Sequence, residues 1–212
     1  MIHIQLFTFN DFQENTYVLA DETKQCIIID PGCYRTEEQN TLTNYIKNNN
    51  LIPVKLLNTH CHIDHVLGNN FVASTFKIGL EIHANDLATL NSVADYGHLY
   101  GFNCEPSPQP IAFLKDGDMI NFGNSKLEVR YVPGHSAGHI VLVSFEDKFV
   151  ICGDVLFRGS IGRTDLPGGD YNTLINSIKT KLLTLADNFK IYSGHGPSTT
   201  IGFERENNPF LN

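Results

Sequence analysis

Thr59-His60-Cys61-His62-Ile63-Asp64-His65 places three imidazoles and a carboxylate within six residues, directly after the apolar run Val54-Lys55-Leu56-Leu57. Imidazole and carboxylate donors together suit zinc, iron or manganese. On an extended segment alternate residues face one way, so His60 and His62 can reach one metal. A turn after them would aim Asp64 and His65 at a second. The competing reading is a helix start carrying surface histidines. It is disfavoured because so dense a cluster is costly unless it coordinates something. By the same alternation Cys61 points away from the metal and reads as a packing residue.

Outward from this segment, three more strand ends carry ligand-type residues beside glycine. They are Pro133-Gly134-His135, Gly153-Asp154 and Ser193-Gly194-His195-Gly196-Pro197. Each alone is a weak signal, since a lone His next to Gly is more often structural. Together they set ligands around one mouth at the ends of strands, where α/β folds commonly build sites. His139 reads as a residue behind the ligands or as buried packing, not as a ligand.

The pattern of apolar residues predicts strands over 2–9, 16–20 and 25–29, the last closed by the turn signal Asp30-Pro31-Gly32. It predicts a helix over 37–49, a strand over 54–57, a helix over 66–76 and a strand over 78–82. Residues 91–110 hold two glycines and three prolines, show no clear period and read as a long loop that lines or covers a site. Strands are expected over 111–114, 118–122, 126–132, 139–145 and 148–152, then a helix over 171–185 and a strand over 189–193. Both halves alternate strand and helix, which suggests two βα layers packed sheet to sheet in one domain, 1–212.

The composition, 42% hydrophobic and 18% charged, is that of a globular protein. No apolar run reaches the roughly 18 residues of a membrane span, and Met1-Ile2-His3-Ile4-Gln5 does not open like a signal peptide. The net charge of −8 and the lack of a Lys/Arg cluster speak against a nucleic-acid partner. The five cysteines fit neither a disulfide framework nor a Cys-x-x-Cys clip, so reduced thiols in a cytoplasm are expected.

His60-x-His62-x-Asp64-His65, then His135, Asp154 and His195, resembles the metallo-β-lactamase superfamily, with Asp30-Pro31-Gly32 in keeping. The resemblance implies an α/β (α+β) fold arranged as a four-layer αβ/βα sandwich. It implies that His60, His62 and His135 hold one metal, that Asp64, His65 and His195 hold another, and that Asp154 bridges them. Two divalent ions, zinc with iron or manganese as alternatives, would then share a hydroxide that attacks the substrate, with Asp64 and Asp154 as the catalytic carboxylates.

Gly162-Arg163-Thr164-Asp165-Leu166-Pro167-Gly168-Gly169-Asp170 and the segment from Gly196 to Phe210 resemble the short bacterial glyoxalase-II-like hydrolases. That implies a small-molecule thioester substrate of the S-lactoylglutathione type. Longer glyoxalase II enzymes have Lys and Tyr where this chain has Arg163 and Asp165, and a basic C-terminal helical extension that is not seen here. Arg163 is a candidate for a substrate carboxylate, with an Arg163–Asp165 ion pair as the alternative. Asp165 is a further substrate-binding candidate, and Tyr96, His98, Tyr100 and Phe102 either line the substrate cleft or only pack the loop onto the domain. Persulfide dioxygenases, which use one iron on the same fold, are the competing enzyme class. A non-enzymatic metal-binding module is the remote one.

Overall fold

The computed structural model describes residues 1–211; Asn212, the last residue of the expected domain, lies outside the described residues. The first half runs β1 (His3–Phe9), β2 (Glu14–Ala20), β3 (Gln25–Ile29), α1 (Thr36–Asn48), β4 (Ile52–Leu57), α2 (Ile63–Val66), α3 (Asn69–Phe76), β5 (Leu80–His83), α4 (Leu87–Tyr96) and β6 (Ala112–Leu114). The second runs β7 (Met119–Phe122), β8 (Ser125–Tyr131), β9 (Ile140–Ser144), β10 (Phe149–Gly153), β11 (Leu156–Phe157), β12 (Ser160–Ile161), α5 (Tyr171–Ser177), β13 (Lys190–Ser193), β14 (Thr199–Thr200) and α6 (Ile201–Asn207). One sheet has the order β1-β2-β3-β4-β5-β6 and the other β14-β13-β10-β9-β8-β7.

Side-chain alternation explains how the layers stack. In β3, Ile27 and Ile29 face the second sheet, where they join Leu127, Val129, Leu142 and Ile151. Cys26 and Ile28 face the other way, onto Leu42, Ile46, Val72 and Leu90 of the helices. The outer face of the second sheet, Val141, Val143 and Val150, packs on Leu174, Ile178 and Ile201. Helix, sheet, sheet, helix is the αβ/βα sandwich that the resemblance implied. Burial on both faces is why residues 25–29 read as an unbroken apolar run instead of an alternating one. Ile27, Ile28 and Ile29 are each wholly buried, worth about 1.5–3 kcal/mol apiece.

Several elements depart from expectation. Residues 91–110 are not one loop: α4 reaches Tyr96 and a 3-10 turn continues over Gly97–Tyr100. The helix begins at Leu87 and buries Leu90 and Val93, so a window opened at residue 91 cuts its period in half. The helix expected over 66–76 is broken into α2 and α3 at Gly68, whose missing side chain leaves room for the Cys33 thiol. The helix expected over 171–185 ends as α5 at Ser177 and widens into a π turn over Ile178–Leu182. The two-residue strands β11, β12 and β14, and α6, were too short to show a period. Among the described residues, no helix is long and apolar enough to cross a membrane.

Candidate metal centre

The four ligand-type segments meet at one end of the sandwich. His60 and His62 follow β4, His135 follows β8, Asp154 follows β10 and His195 follows β13. β10 pairs with β13 in parallel, with a register shift at Gly153. Gly153 has φ +49°, and a Cβ there would run into Thr59 and His139. Glycine therefore lets the strand turn sharply and deliver Asp154 into the cleft. Asp64 and His65 lie in the short helix α2, whose start at His62 bends the chain away from the strand direction.

The geometry falls into two clusters. In the first, His135 Nε2 lies 2.9 Å from His62 Nδ1 and 3.2 Å from His60 Nε2. In the second, His195 Nε2 is 3.0 Å from Asp64 Oδ2, and His65 Nε2 is 3.5 Å from the same oxygen. Asp154 touches both: Oδ1 is 3.4 Å from His65 Nε2, and Oδ2 lies 3.5 Å from His195 Nε2 and 3.7 Å from His135 Nε2.

The outward nitrogens decide what the inward ones offer. His135 Nδ1 faces the Arg163 carbonyl at 2.7 Å, His195 Nδ1 the Phe12 carbonyl at 3.1 Å and His65 Nδ1 the Asp30 carboxylate at 3.2 Å. His60 Nδ1 sits 3.2 Å from Thr59 Oγ1, whose own hydrogen goes to Asp30 Oδ2 at 2.6 Å. His60 and His135 thus donate outward and aim a lone pair inward, and His65 and His195 would do so once a cation replaced the proton between them and the carboxylates. Lone pairs 3.2 Å apart repel unless a cation stands between them. Two nitrogens bound to one tetrahedral zinc lie about 3.3 Å apart. The separations observed fit a shared metal ion. His65 Nε2 and Asp154 Oδ1 are also buried without a hydrogen-bond partner, a costly state that a cation would relieve.

Charge follows the same division. Burial, then the neighbouring imidazoles, holds His60 well below the usual imidazole range. Burial takes His62 down to about 3 and also lowers His135. These three are neutral donors. In the second cluster burial again opposes charge, but hydrogen bonds to Asp154 and Asp64 lift His195 to about 9. His65 rises well above its usual value, burial being outweighed by the same two carboxylates. Asp64 and Asp154 thus demand positive charge beside them, and a divalent cation would supply it.

A third grouping, Asp30 with His60 and His65, also lies within ligand distance. Asp30 already accepts from the Thr59 N–H, the Thr59 hydroxyl and His65 Nδ1, so it positions the histidines from behind. His139 does likewise: its Nε2 accepts the Asp154 N–H at 3.0 Å. Cys61 is wholly buried in the helix-side core.

Before the metal cluster opens a cleft of about 700 Å³. Tyr96 and Arg163 line it; His98 stands exposed on the 3-10 turn outside the lining, and Asp165 is likewise not part of it. Arg163 and Asp165 form a two-pronged ion pair, Nε to Oδ1 and Nη2 to Oδ2, each 2.7 Å. A smaller cavity of about 340 Å³, bordered by Tyr34, Phe71 and Cys104, includes none of the candidate metal residues. Sequence reasoning gave no role to Asp86, which accepts from the Cys61 N–H, the Ser136 hydroxyl and the Gly138 N–H. Its partners lie 25 to 52 positions away in sequence, so no local signal marks it. Asp30 had a signal in Asp30-Pro31-Gly32, at a strand end like the ligands.

The chain matches the model of the metallo-beta-lactamase superfamily over residues 9–195. It is 39% identical to hydroxyacylglutathione hydrolase GloC of Haemophilus influenzae, over 100% of this chain and 99% of that one. Among solved structures it resembles BLEG-1 B3 metallo-beta-lactamase, with a TM-score of 0.91 and 33% identity over 99% of this chain and 100% of that one. It also resembles TTHA1623 in a di-iron-bound form, with a TM-score of 0.88 and 35% identity over 98% of this chain and 100% of that one. Family model, relatives and layer order agree: the chain belongs to the metallo-beta-lactamase superfamily.

Proposed function

We propose that this superfamily member is a metal-dependent hydrolase of acyl thioesters, of the glyoxalase II type, with S-lactoylglutathione as the reference substrate. The observation that carries the reading is the pair of donor clusters joined by Asp154, in which the inward nitrogens of His60 and His135 face each other at 3.2 Å. His60, His62 and His135 would hold one divalent ion, Asp64, His65 and His195 a second, and Asp154 both. Two such ions would supply a water made acidic enough to attack at neutral pH and a Lewis acid for the acyl oxygen.

The chain's own residues set the stage for that chemistry. Asp30, Thr59 and the carbonyls of Phe12 and Arg163 fix the imidazole tautomers before substrate arrives. Asp64 and Asp154 face the cleft and concentrate negative charge where the water must lose a proton. Water adds its oxygen to the acyl carbon, the carbon–sulfur bond breaks, and the sulfur leaves with a proton, giving carboxylic acid and thiol. The identity to the Haemophilus hydrolase supports thioesters as the substrate class; the di-iron relative keeps iron beside zinc as a candidate metal.

The test is a panel of glutathione thioesters, other acyl thioesters, a β-lactam and glutathione persulfide, run with metal quantification. Thioester turnover that Asp154→Ala abolishes, with loss of bound metal, is the expected result. Near-normal turnover of that variant at full metal content would overturn the assignment. One iron per chain with oxygen uptake on the persulfide would replace hydrolysis by dioxygenation.

A further inference from the structure

Granting thioester hydrolysis at this centre, we propose that the cleft selects its substrate by an apolar acyl group laid against Phe12, Leu99 and Tyr100, and offers no charged grip to the carboxylates of a glutathione-type thiol.

The wall comes from two separate places. Phe12 sits at the turn between β1 and β2; Leu99 and Tyr100 sit on the 3-10 turn after α4. Leu99 is 74% exposed, Tyr100 53% and Phe12 39%, high values for large apolar side chains that all border one cleft. Apolar surface gathered in this way beside a catalytic centre marks a binding surface. It is also braced: the Phe12 ring lies 5.8 Å from Tyr100 and 5.8 Å from Phe102, which is itself buried. Ile63, Ala88, Leu166 and Pro167 also line the cleft and add to the apolar surface an occupant meets.

The charges point the same way. Among the described residues that line the cleft, Arg163 is the one Lys or Arg. Both prongs of its guanidinium are already on Asp165. A substrate carboxylate meets a guanidinium whose Nε–Nη2 edge is taken and whose charge Asp165 already offsets, so it gains little there. Asp64, Asp154 and His195 of the lining face one another within the donor clusters, so none of them stands as a free cation for an anionic thiol. Asn85, Thr89 and Ser92 supply neutral polar contacts, which suit the amides of an uncharged thiol arm.

The experiment pairs acetyl and hexanoyl thioesters of glutathione and of N-acetylcysteamine on the metal-loaded protein, each rate divided by the alkaline hydrolysis rate. A methylene moved onto apolar surface is worth up to about fourfold. The hexanoyl-to-acetyl ratio of kcat/KM is expected to reach at least about tenfold with either thiol. Replacing glutathione by N-acetylcysteamine is expected to cost less than about threefold, and Asp165→Asn, which frees Arg163, to raise the glutathione-to-cysteamine ratio about two- to fivefold. Leu99→Ala with Tyr100→Ala should cut the hexanoyl-to-acetyl ratio at least about threefold.

Calorimetry with the non-hydrolysable S-methyl and S-hexyl thioethers of N-acetylcysteamine reads the wall without turnover, the hexyl compound being expected to bind more tightly. A flat acyl dependence, or a wild-type preference for glutathione above about tenfold, overturns the inference. Chain-length-dependent thioether binding with no thioester cleaved would keep the apolar wall and sink the thioesterase reading. Neither binding nor cleavage would sink both.

Discussion

Asp86 ties together the two segments that carry the first histidine cluster, and removing it should damage fold and metal binding at once. Its Oδ2 accepts the Cys61 N–H at 2.8 Å and the Ser136 hydroxyl at 3.0 Å, and Oδ1 accepts the Gly138 N–H at 2.6 Å. Cys61 stands between His60 and His62, and Ser136 follows His135. Asp86 is wholly buried, so no water replaces a lost acceptor without rearrangement. Asp86→Ala orphans two backbone donors at about 1–3 kcal/mol each, while the hydroxyl can rotate to another partner. The expected loss is about 3–5 kcal/mol, a large part of the roughly 5–15 kcal/mol that holds an ordinary domain together. Asp86→Asn keeps one acceptor oxygen but turns an amide N–H toward a donor, for a loss of about 1–3 kcal/mol. Urea unfolding in a chelator measures this free of any metal contribution, and zinc titration of the folded variants reads the cluster. An Asp86→Ala protein within about 0.5 kcal/mol of wild type, with unchanged zinc affinity, would refute the role.

Three other expectations follow from the site and its frame. His195→Ala should lower bound metal by about half, because the first cluster keeps its three imidazoles; elemental analysis showing full metal content at a wild-type rate would end the two-metal reading. Gly162→Ala should drive its Cβ into the Asp154 carbonyl and to 3.1 Å from His135 Nδ1, costing about 1–3 kcal/mol and most of the activity; urea midpoint and rate report both. Asp21, far from the centre, is opposed by burial but held below its usual value by hydrogen bonds from the Thr23 hydroxyl and the Asn124 and Thr23 amides. A depressed acid stabilises the fold above its unfolded-state pKa and loses that contribution as pH falls through the folded one. Asp21→Asn should therefore flatten the acid side of the stability–pH curve below about pH 4, read by urea melts; an unchanged slope there would contradict it.

Much of the candidate site was legible because most of its residues follow strand ends, and a strand running into Gly beside His or Asp leaves a local mark. The same holds for the layers: the continuous apolar run at residues 25–29 already announces a strand covered on both faces. What stayed hidden depends on distance in the chain. Asp86 works only through partners brought from elsewhere by folding. Phe12 gives a carbonyl to His195 Nδ1, 183 positions on, and nothing near it in sequence shows that. Helix α4 was lost among the glycines and prolines that follow it, since its buried stripe is only Leu90 and Val93 with partly covered neighbours. The Arg163–Asp165 alternative is visible as a pairing, but its two-pronged geometry shows only in the folded chain.

The seven histidines and aspartates of the centre come from both sheets: His60, His62, Asp64 and His65 from the first half, His135, Asp154 and His195 from the second. Backbone links already cross at this end, the Ile140 N–H to the Thr59 carbonyl at 2.8 Å and the Asn15 N–H to the Gly194 carbonyl at 2.7 Å. Ions seated there would act as rivets between the two halves of the sandwich. By mass action, a ligand at a hundred times its dissociation constant adds about 2.7 kcal/mol to the folded state. The metal supply that turns the enzyme on would then also set how long the chain survives heat and proteolysis, so starvation for metal would remove the protein along with its activity.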